Sequence, residues 1–168
     1  TRFVAPLRCR TDLIIKKYWW MKSSENMDKV FLDTDVILDF LLDRDDFSEA
    51  SVFLLTLGDM GKISLYSSGL VFSNCYYILR KISNHTKAID ALQSLGSFIQ
   101  FVTLDHKVVM DALHSSFKDF EDGLQNAAAS SAGIKVLITR NIKDYKQSNL
   151  AVMTPEVYIA SNRDLITR

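Results

Sequence analysis

The most constraining feature of the sequence is a short apolar run that ends on acidic residues. Val30, Phe31 and Leu32 are followed at once by Asp33 and Asp35, and then by a helical apolar pattern. The run predicts a buried strand with Asp33 at its carboxyl end. In open α/β sheets ligands bind at that edge, and carboxylates without a basic neighbour are costly there unless a cation or a proton compensates them. We therefore expect a metal site.

The composition is typical of an ordered globular domain without an overall basic surface. The 168 residues fit one domain, and 48% of them are hydrophobic, with only six Gly and two Pro. The formal net charge is zero, but residues 1–26 carry six Lys or Arg against two acidic side chains. Because the remainder is net acidic, we expect nucleic-acid binding to be local and bridged by a metal.

Cysteine content and hydropathy favour a cytoplasmic location. Cys9 and Cys75 are too few for a disulfide framework, and their spacing does not match a zinc site. No apolar run approaches the length of a membrane span, and the start lacks a secretory pattern. We expect a cytoplasmic protein without membrane contact.

The first 26 residues differ from the rest of the chain. They are basic, they contain the aromatic triplet Tyr18-Trp19-Trp20, and they show no clear hydrophobic period. We predict an N-terminal extension over residues 1–26 and a compact domain over residues 27–168.

Apolar runs and helical patterns alternate from residue 29 onward. Strands are predicted near residues 29–33, 63–66, 98–104, 136–139 and 151–153. Helices are predicted near residues 36–41, 48–57, 71–82, 87–95, 105–113 and 121–132, with a last helix from Pro155. Ser48 is the predicted N-cap of the second helix. This alternation favours an α/β fold in which helices cover both faces of a mainly parallel sheet of four to five strands.

Acidic and polar residues cluster at three places, residues 33–35, 119–122 and 139–144. If the first and fourth strands are neighbours, their carboxyl ends bring the first and third clusters together. Asp122 joins them only if its helix folds back across the site. On spacing alone, the acids at 119, 121 and 122 are better explained as helix-start charges, and Asp39 is predicted at a solvated helix end.

Five ordered segments resemble the PIN domain family, and within it the bacterial branch of VapC-like toxins. They are FLDTDVILDFLLDR (31–44), SSGLVFSNCYYILRK (67–81), FKDFEDGLQNAAA (117–129), LITRNIKDY (137–145) and VMTPEVYI (152–159). The resemblance covers residues 27–159 and none of residues 1–26.

The resemblance implies a three-layer α/β/α PIN-like fold whose acidic pocket holds Mg²⁺ or Mn²⁺ and cuts RNA. The implied catalytic residues are Asp33, Asp122, Asn141 and Asp144. The implied metal ligands are Asp33, Asp122, Asp35 and Asn141. The implied supporting or substrate-binding residues are Thr34, Asn74, Asp119, Thr139 and Arg140. Arg140 is either a phosphate contact or one half of a structural ion pair, for instance with Asp144.

We therefore expect a metal-dependent endoribonuclease that is the toxin of a toxin–antitoxin pair, with RNA as substrate, a small antitoxin as partner and a homodimer as assembly. One alternative is a catalytically weak or inactive PIN-fold module that binds RNA or protein, because Asn74 falls where the resemblance implies Glu and Asn141 brings no charge. A lower-ranked alternative is a haloacid-dehalogenase-like phosphatase, in which Asp33 would be a nucleophile. That family needs a later strand-end Lys, which residues 139–141 do not supply.

Overall fold

The computed structural model describes residues 28–44 and 47–162, and the predicted extension at 1–26 lies outside this part of the chain. The strands are β1 (Lys29–Leu32), β2 (Ser64–Ser68), β3 (Gln100–Val102), β4 (Val136–Ile138) and β5 (Ala151–Met153). The helices are α1 (Thr34–Leu42), α2 (Ser48–Asp59), α3 (Gly69–Ile82), α4 (His85–Gly96), α5 (His106–Leu113), α6 (Phe120–Ser131) and α7 (Pro155–Ser161), with a 3-10 turn at Ile142–Tyr145.

The strands form one parallel sheet in the order β3-β2-β1-β4-β5. The central strand β1 pairs with β2, where Lys29 lies opposite Ser64, and with β4, where Val30 lies opposite Val136. This arrangement confirms the predicted α/β class and the predicted adjacency of the first and fourth strands.

Helices cover both faces of the sheet. Val30 and Leu32 point to one face, where they share a core with α1, α2, α3, α4 and α7. Phe31 and Leu137 point to the other face, where α5 and α6 pack. Successive strand residues alternate between faces, so the all-apolar run of β1 is buried on both sides. The three-layer α/β/α fold is confirmed.

The carboxyl ends of β1 and β4 lie side by side, and the first turn of α6 lies at the same edge. The backbone amide of Asp33 donates to the Ile138 carbonyl oxygen at 3.0 Å, which joins the two strand ends. Because α6 leads into β4, which is parallel to β1, α6 runs back against the strand direction. Its acidic first turn therefore reaches the edge where β1 ends.

Two local predictions are wrong. Ser48 is the first residue of α2 rather than its cap, and the cap residue, Phe47, makes no side-chain capping bond. Asp39 is 0% exposed instead of solvated, because it faces Arg44 and Arg140. Among residues 28–44 and 47–162, no helix has the length and apolarity that crossing a bilayer requires.

Candidate functional site

A hollow of about 300 Å³ opens at the edge where β1 ends and α6 begins. Six carboxylates line it, and a single cation, Arg44, is found among its described lining residues. The lining consists of Asp33, Thr34, Asp35, Leu38, Arg44, Asp119, Glu121, Asp122, Asn141 and Asp144. The hollow therefore concentrates negative charge that the neighbouring cation does not balance.

Asp33 links the end of β1 to the start of α1. It is the N-cap of α1, and its Oδ1 accepts a hydrogen bond from the Thr34 amide at 2.6 Å. Only 8% of the residue is exposed. Burial and, next, the charge of Asp35 raise the pKa of Asp33 to about 7. Near neutral pH this carboxyl is therefore divided between its charged and neutral forms.

The first turn of α6 contributes three acids with different tasks. Asp119 is the N-cap, and its Oδ1 accepts hydrogen bonds from the amides of Glu121 at 2.7 Å and Asp122 at 3.4 Å. Burial and then the charge of Asp119 raise the pKa of Asp122 to about 6. The capping role suggested by the sequence is thus carried by Asp119, while Asp122 lines the hollow together with Asp33.

Among the described residues, the hydrogen bonds to the Glu121 carboxylate reach one of its two oxygens. Its Oε1 accepts hydrogen bonds from Asn74 Nδ2 at 2.5 Å and from Gln125 Nε2 at 3.2 Å. Burial and the nearby Asp119 raise the pKa of Glu121. Asn74 itself does not line the hollow, but it orients a carboxylate that does. Sequence reasoning placed Glu121 at a helix start and did not select it as a site residue.

Asp35 and the buried Asp39, which lie one turn of α1 apart, belong to one charge network. Asp35 Oδ2 accepts hydrogen bonds from Thr139 Oγ1 at 3.2 Å and from the Arg140 amide at 3.0 Å. The Nε of Arg140 lies 3.1 Å from Asp39 Oδ2, and Arg44 Nη1 lies 3.1 Å from Asp39 Oδ1. The structural ion pair considered for Arg140 is therefore present, with Asp39 and Asp35 as partners instead of Asp144.

The segment that follows β4, residues 139–144, also contributes to the lining of the hollow. Thr139 is fully buried, and its Oγ1 accepts a hydrogen bond from the Asn141 amide at 3.0 Å. The Asn141 side-chain amide donates to Asp144, and both residues line the hollow. Asn141 and Asp144 therefore act as one unit on the 3-10 turn.

Tyr145 does not line the hollow, but its hydroxyl contacts two of the acids that do. The residue is 3% exposed, and its hydroxyl donates to Asp33 Oδ2 at 3.4 Å. The same hydroxyl also interacts with Asp122, whose pKa it lowers. Burial and the charges of Asp33 and Asp122 raise the pKa of Tyr145 far above its usual range, so the phenol keeps its proton.

The structure brings together seven of the ten residues that the sequence selected. The seven residues in the lining are Asp33, Thr34, Asp35, Asp119, Asp122, Asn141 and Asp144. The other three, Asn74, Thr139 and Arg140, each contact a residue in the lining. Glu121, Arg44, Asp39 and Tyr145 were missed. The sequence signal for Glu121 was its position next to Asp122. The signal for the other three residues was their position within segments 31–44 and 137–145, which carry the family resemblance.

The donor set fits a hard divalent cation. The hollow offers carboxylate and amide oxygens, the ligands that Mg²⁺ prefers, and no described lining residue supplies nitrogen or sulfur of His or Cys. Within the described residues no three His, Cys, Asp or Glu side chains already surround one point. Mg²⁺ keeps several waters and uses one or two carboxylates, a number that Asp33 and Asp122 meet.

Comparison with known protein sequences gives two matches. The family model for the PIN domain matches residues 29–143. The sequence is also 28% identical over 138 residues to Ribonuclease VapC1 of Aquifex aeolicus (strain VF5), covering 79% of this chain and 94% of that protein.

Solved structures share the fold. A toxin–antitoxin complex from Klebsiella pneumoniae superposes with a TM-score of 0.58 at 19% identity, over 75% of this chain and 97% of that one. VapBC-1 from nontypeable Haemophilus influenzae superposes with a TM-score of 0.57 at 15% identity, over 76% and 98%. These likenesses agree with the three-layer architecture, and the family match spans most of the sequence. The chain belongs to the PIN domain family.

Proposed function

We propose that this protein is a metal-dependent endoribonuclease that hydrolyses RNA phosphodiester bonds, and that it is the toxin of a toxin–antitoxin pair. The observation that carries the proposal is the meeting of Asp33 and Asp122, both with raised pKa values, in one hollow whose described lining has six carboxylates and one cation, Arg44. The similarity to a protein named Ribonuclease VapC1 supports the choice of RNA as substrate.

Asp33 and Asp122 would hold the Mg²⁺ or Mn²⁺ ion directly or through water. A bound ion of this kind makes a water nucleophilic and stabilises the developing charge on a phosphoryl group. Asn141 would complete the ligand set through its carbonyl oxygen, because its amide nitrogen is engaged by Asp144. Asp35, whose Oδ1 is buried without a hydrogen-bond partner among the described residues, would add charge beside Asp33.

We also assign Glu121 to the metal-binding set. Two amides hold its Oε1, which leaves Oε2 as the oxygen available to the hollow. Asn74, at the position where the family resemblance implies Glu, would thus fix a carboxylate supplied by α6. The negative charge expected at position 74 is provided by Glu121.

The decisive experiment is cleavage of single-stranded RNA with and without Mn²⁺. We expect Asp33→Asn to reduce the rate by at least about 100-fold, because it removes a charge at the ion. The matched control is Asp111→Asn, which alters an exposed acid paired with Lys107 on α5. Wild-type activity in Asp33→Asn, or equal loss in both variants, would contradict the proposal.

The second candidate is a PIN-fold module that binds RNA or protein without cutting. The observation that favours it is the engagement of Asp35 Oδ2 by Thr139 and Arg140, which uses one carboxylate for structure. Under this alternative, wild-type protein would retard RNA on a gel in Mn²⁺ and leave it intact. The chain is not a haloacid-dehalogenase-like phosphatase, because it belongs to the PIN domain family.

The partner assignments are part of the same proposal. The Klebsiella pneumoniae structure is described as a toxin–antitoxin complex, and the Haemophilus influenzae structure is VapBC-1. By analogy we propose a small antitoxin as partner and a homodimer as the assembly of the free toxin. Light scattering tests whether the protein is a homodimer. Measuring RNA cleavage with and without the protein encoded by the neighbouring gene tests whether that protein is the antitoxin.

A further inference from the structure

Tyr145 is a buried phenol that the proposed chemistry does not use. It belongs to the 3-10 turn after β4, and 3% of it is exposed. Its ring packs edge-on against Phe117, with 5.9 Å between ring centroids. This packing fixes the direction of the side chain, so the position of the hydroxyl is set by the core and not by solvent.

The hydroxyl lies between acids from two distant parts of the chain. It donates to Asp33 Oδ2 at 3.4 Å, and it also interacts with Asp122 on α6. Asp33 Oδ1 is meanwhile held by the Thr34 amide at 2.6 Å. Both oxygens of Asp33 therefore have a donor, and the rotation of the carboxylate plane is restricted.

We propose that Tyr145 is a positioning residue that sets the orientation of Asp33 and Asp122 for the divalent cation. Carboxylates that ligate a metal are themselves commonly hydrogen-bonded, and those bonds determine which oxygen faces the ion. A buried phenol suits this task because it donates one hydrogen bond and its packed ring moves little. The inference rests on the proposed metal site and adds a residue that touches neither the ion nor the RNA.

The test is the metal affinity of Tyr145→Phe, measured by calorimetric titration of the full chain with Mn²⁺ in the absence of RNA. This change removes one oxygen and keeps the ring against Phe117. We expect binding about 10-fold weaker than in wild type, the lower end of the range for loss of a group that orients a ligand. Unchanged Mn²⁺ affinity would overturn the inference.

The matched control is Tyr158→Phe. Tyr158 is also buried, at 2% exposed, but it belongs to α7 and lies in the core of the opposite face of the sheet. We expect this variant to bind Mn²⁺ like wild type. Equal loss of Mn²⁺ affinity in the two variants would mean that removing any buried hydroxyl weakens binding by destabilising the fold. That result would also overturn the inference.

Cleavage kinetics provide a measurement that a merely structural role would not affect. For Tyr145→Phe we expect the Mn²⁺ concentration at half-maximal rate to rise about 10-fold, while the rate at saturating Mn²⁺ stays within about 2-fold of wild type. A lower rate at every Mn²⁺ concentration, with an unchanged midpoint, would contradict positioning.

A measurement on wild-type protein covers the case in which Tyr145→Phe does not fold. Mg²⁺ should perturb the ultraviolet absorbance of tyrosine, because the bound ion compensates the negative charge of the acids around the Tyr145 hydroxyl. The perturbation should persist in Tyr158→Phe, and its absence there and in wild type would overturn the inference. If wild type binds Mn²⁺ but cuts no RNA, the nuclease proposal fails and the assignment of Tyr145 stands.

Discussion

At the scale of single residues, Asp33 differs from the other acids of the hollow in being almost completely buried. Its pKa of about 7 arises from burial first and from the charge of Asp35 second, and these effects outweigh its hydrogen bonds. Without a cation, charging this group costs free energy that the fold has to supply. A divalent ion that binds beside Asp33 compensates this charge, so relief of the cost contributes to the free energy of metal binding.

The raised pKa predicts how stability depends on pH. In the unfolded chain Asp33 loses its proton near pH 4, and in the folded chain near pH 7. The folded state therefore binds more protons between these values, and the free energy of unfolding falls as pH rises through this window. The expected slope is up to about 1.4 kcal/mol per pH unit.

Urea denaturation of the metal-free protein at pH 5, 6, 7 and 8 measures this slope. Asp33→Asn is the control, because an amide does not titrate. It should flatten the dependence in part, since the raised pKa of Asp122 contributes a slope of the same sign. Saturating Mn²⁺ should flatten it as well. A stability that rises from pH 5 to pH 8 would show that the burial cost of Asp33 is compensated by other groups.

At the scale of elements, β1 and α2 illustrate what local pattern decides and what packing decides. Three consecutive apolar residues and an abrupt acid were enough to locate β1. The start of α2, in contrast, lacks a side-chain cap, and Gly58 near its end is buried against β2. The reason for a glycine in a helix is visible only once its neighbour across the interface is known.

Gly58→Ala should destabilise the protein. A Cβ at this position would lie 2.6 Å from Leu65 Cγ, and Leu65 on β2 is itself 1% exposed. We expect a loss of about 1–3 kcal/mol in the free energy of unfolding, the range for overpacking a core. Denaturant unfolding provides the measurement.

Gly69→Ala is the matched control for this helix–sheet contact. Gly69 opens α3, and a Cβ there would have no atom within 4 Å. We expect it to be neutral or to stabilise slightly, because alanine has the higher helix propensity. A loss as large in Gly69→Ala as in Gly58→Ala would refute the packing explanation.

At the scale of the whole molecule, the described residues form two hydrophobic cores. One core spans β1, β2 and the helices on one face, and the other joins β1 and β4 to α5 and α6. The PIN domain match begins at residue 29. The hollow is likewise lined by residues between 33 and 144.

A chain that begins at Met27 should therefore keep the fold and the metal site. We expect its Mn²⁺ affinity to equal that of the full chain within about 2-fold, because the family match begins at residue 29 and the lining of the hollow begins at residue 33. Its thermal unfolding midpoint should shift by only a few degrees. Calorimetry and circular dichroism test this. Loss of cooperative unfolding would mean that residues 1–26 belong to the domain.

Sequence alone determined the fold class, because hydrophobic period and strand–helix alternation are local properties that each segment carries by itself. It also determined that Asp33 ends a buried strand. The resemblance to a family then added Asp122, Asn141 and Asp144. Sequence did not determine the surroundings of Asp39, because burial of a charge depends on cations brought from elsewhere, here Arg44 and Arg140.

Only the tertiary structure decided which oxygens share the hollow. Asn74 and Glu121 are 47 positions apart, and Tyr145 and Asp33 are 112 apart, yet each pair is hydrogen-bonded. Contacts of this kind follow from the order of strands in the sheet and from the return of α6 to the carboxyl edge. No local pattern encodes them, because they arise when separate elements are packed against one another.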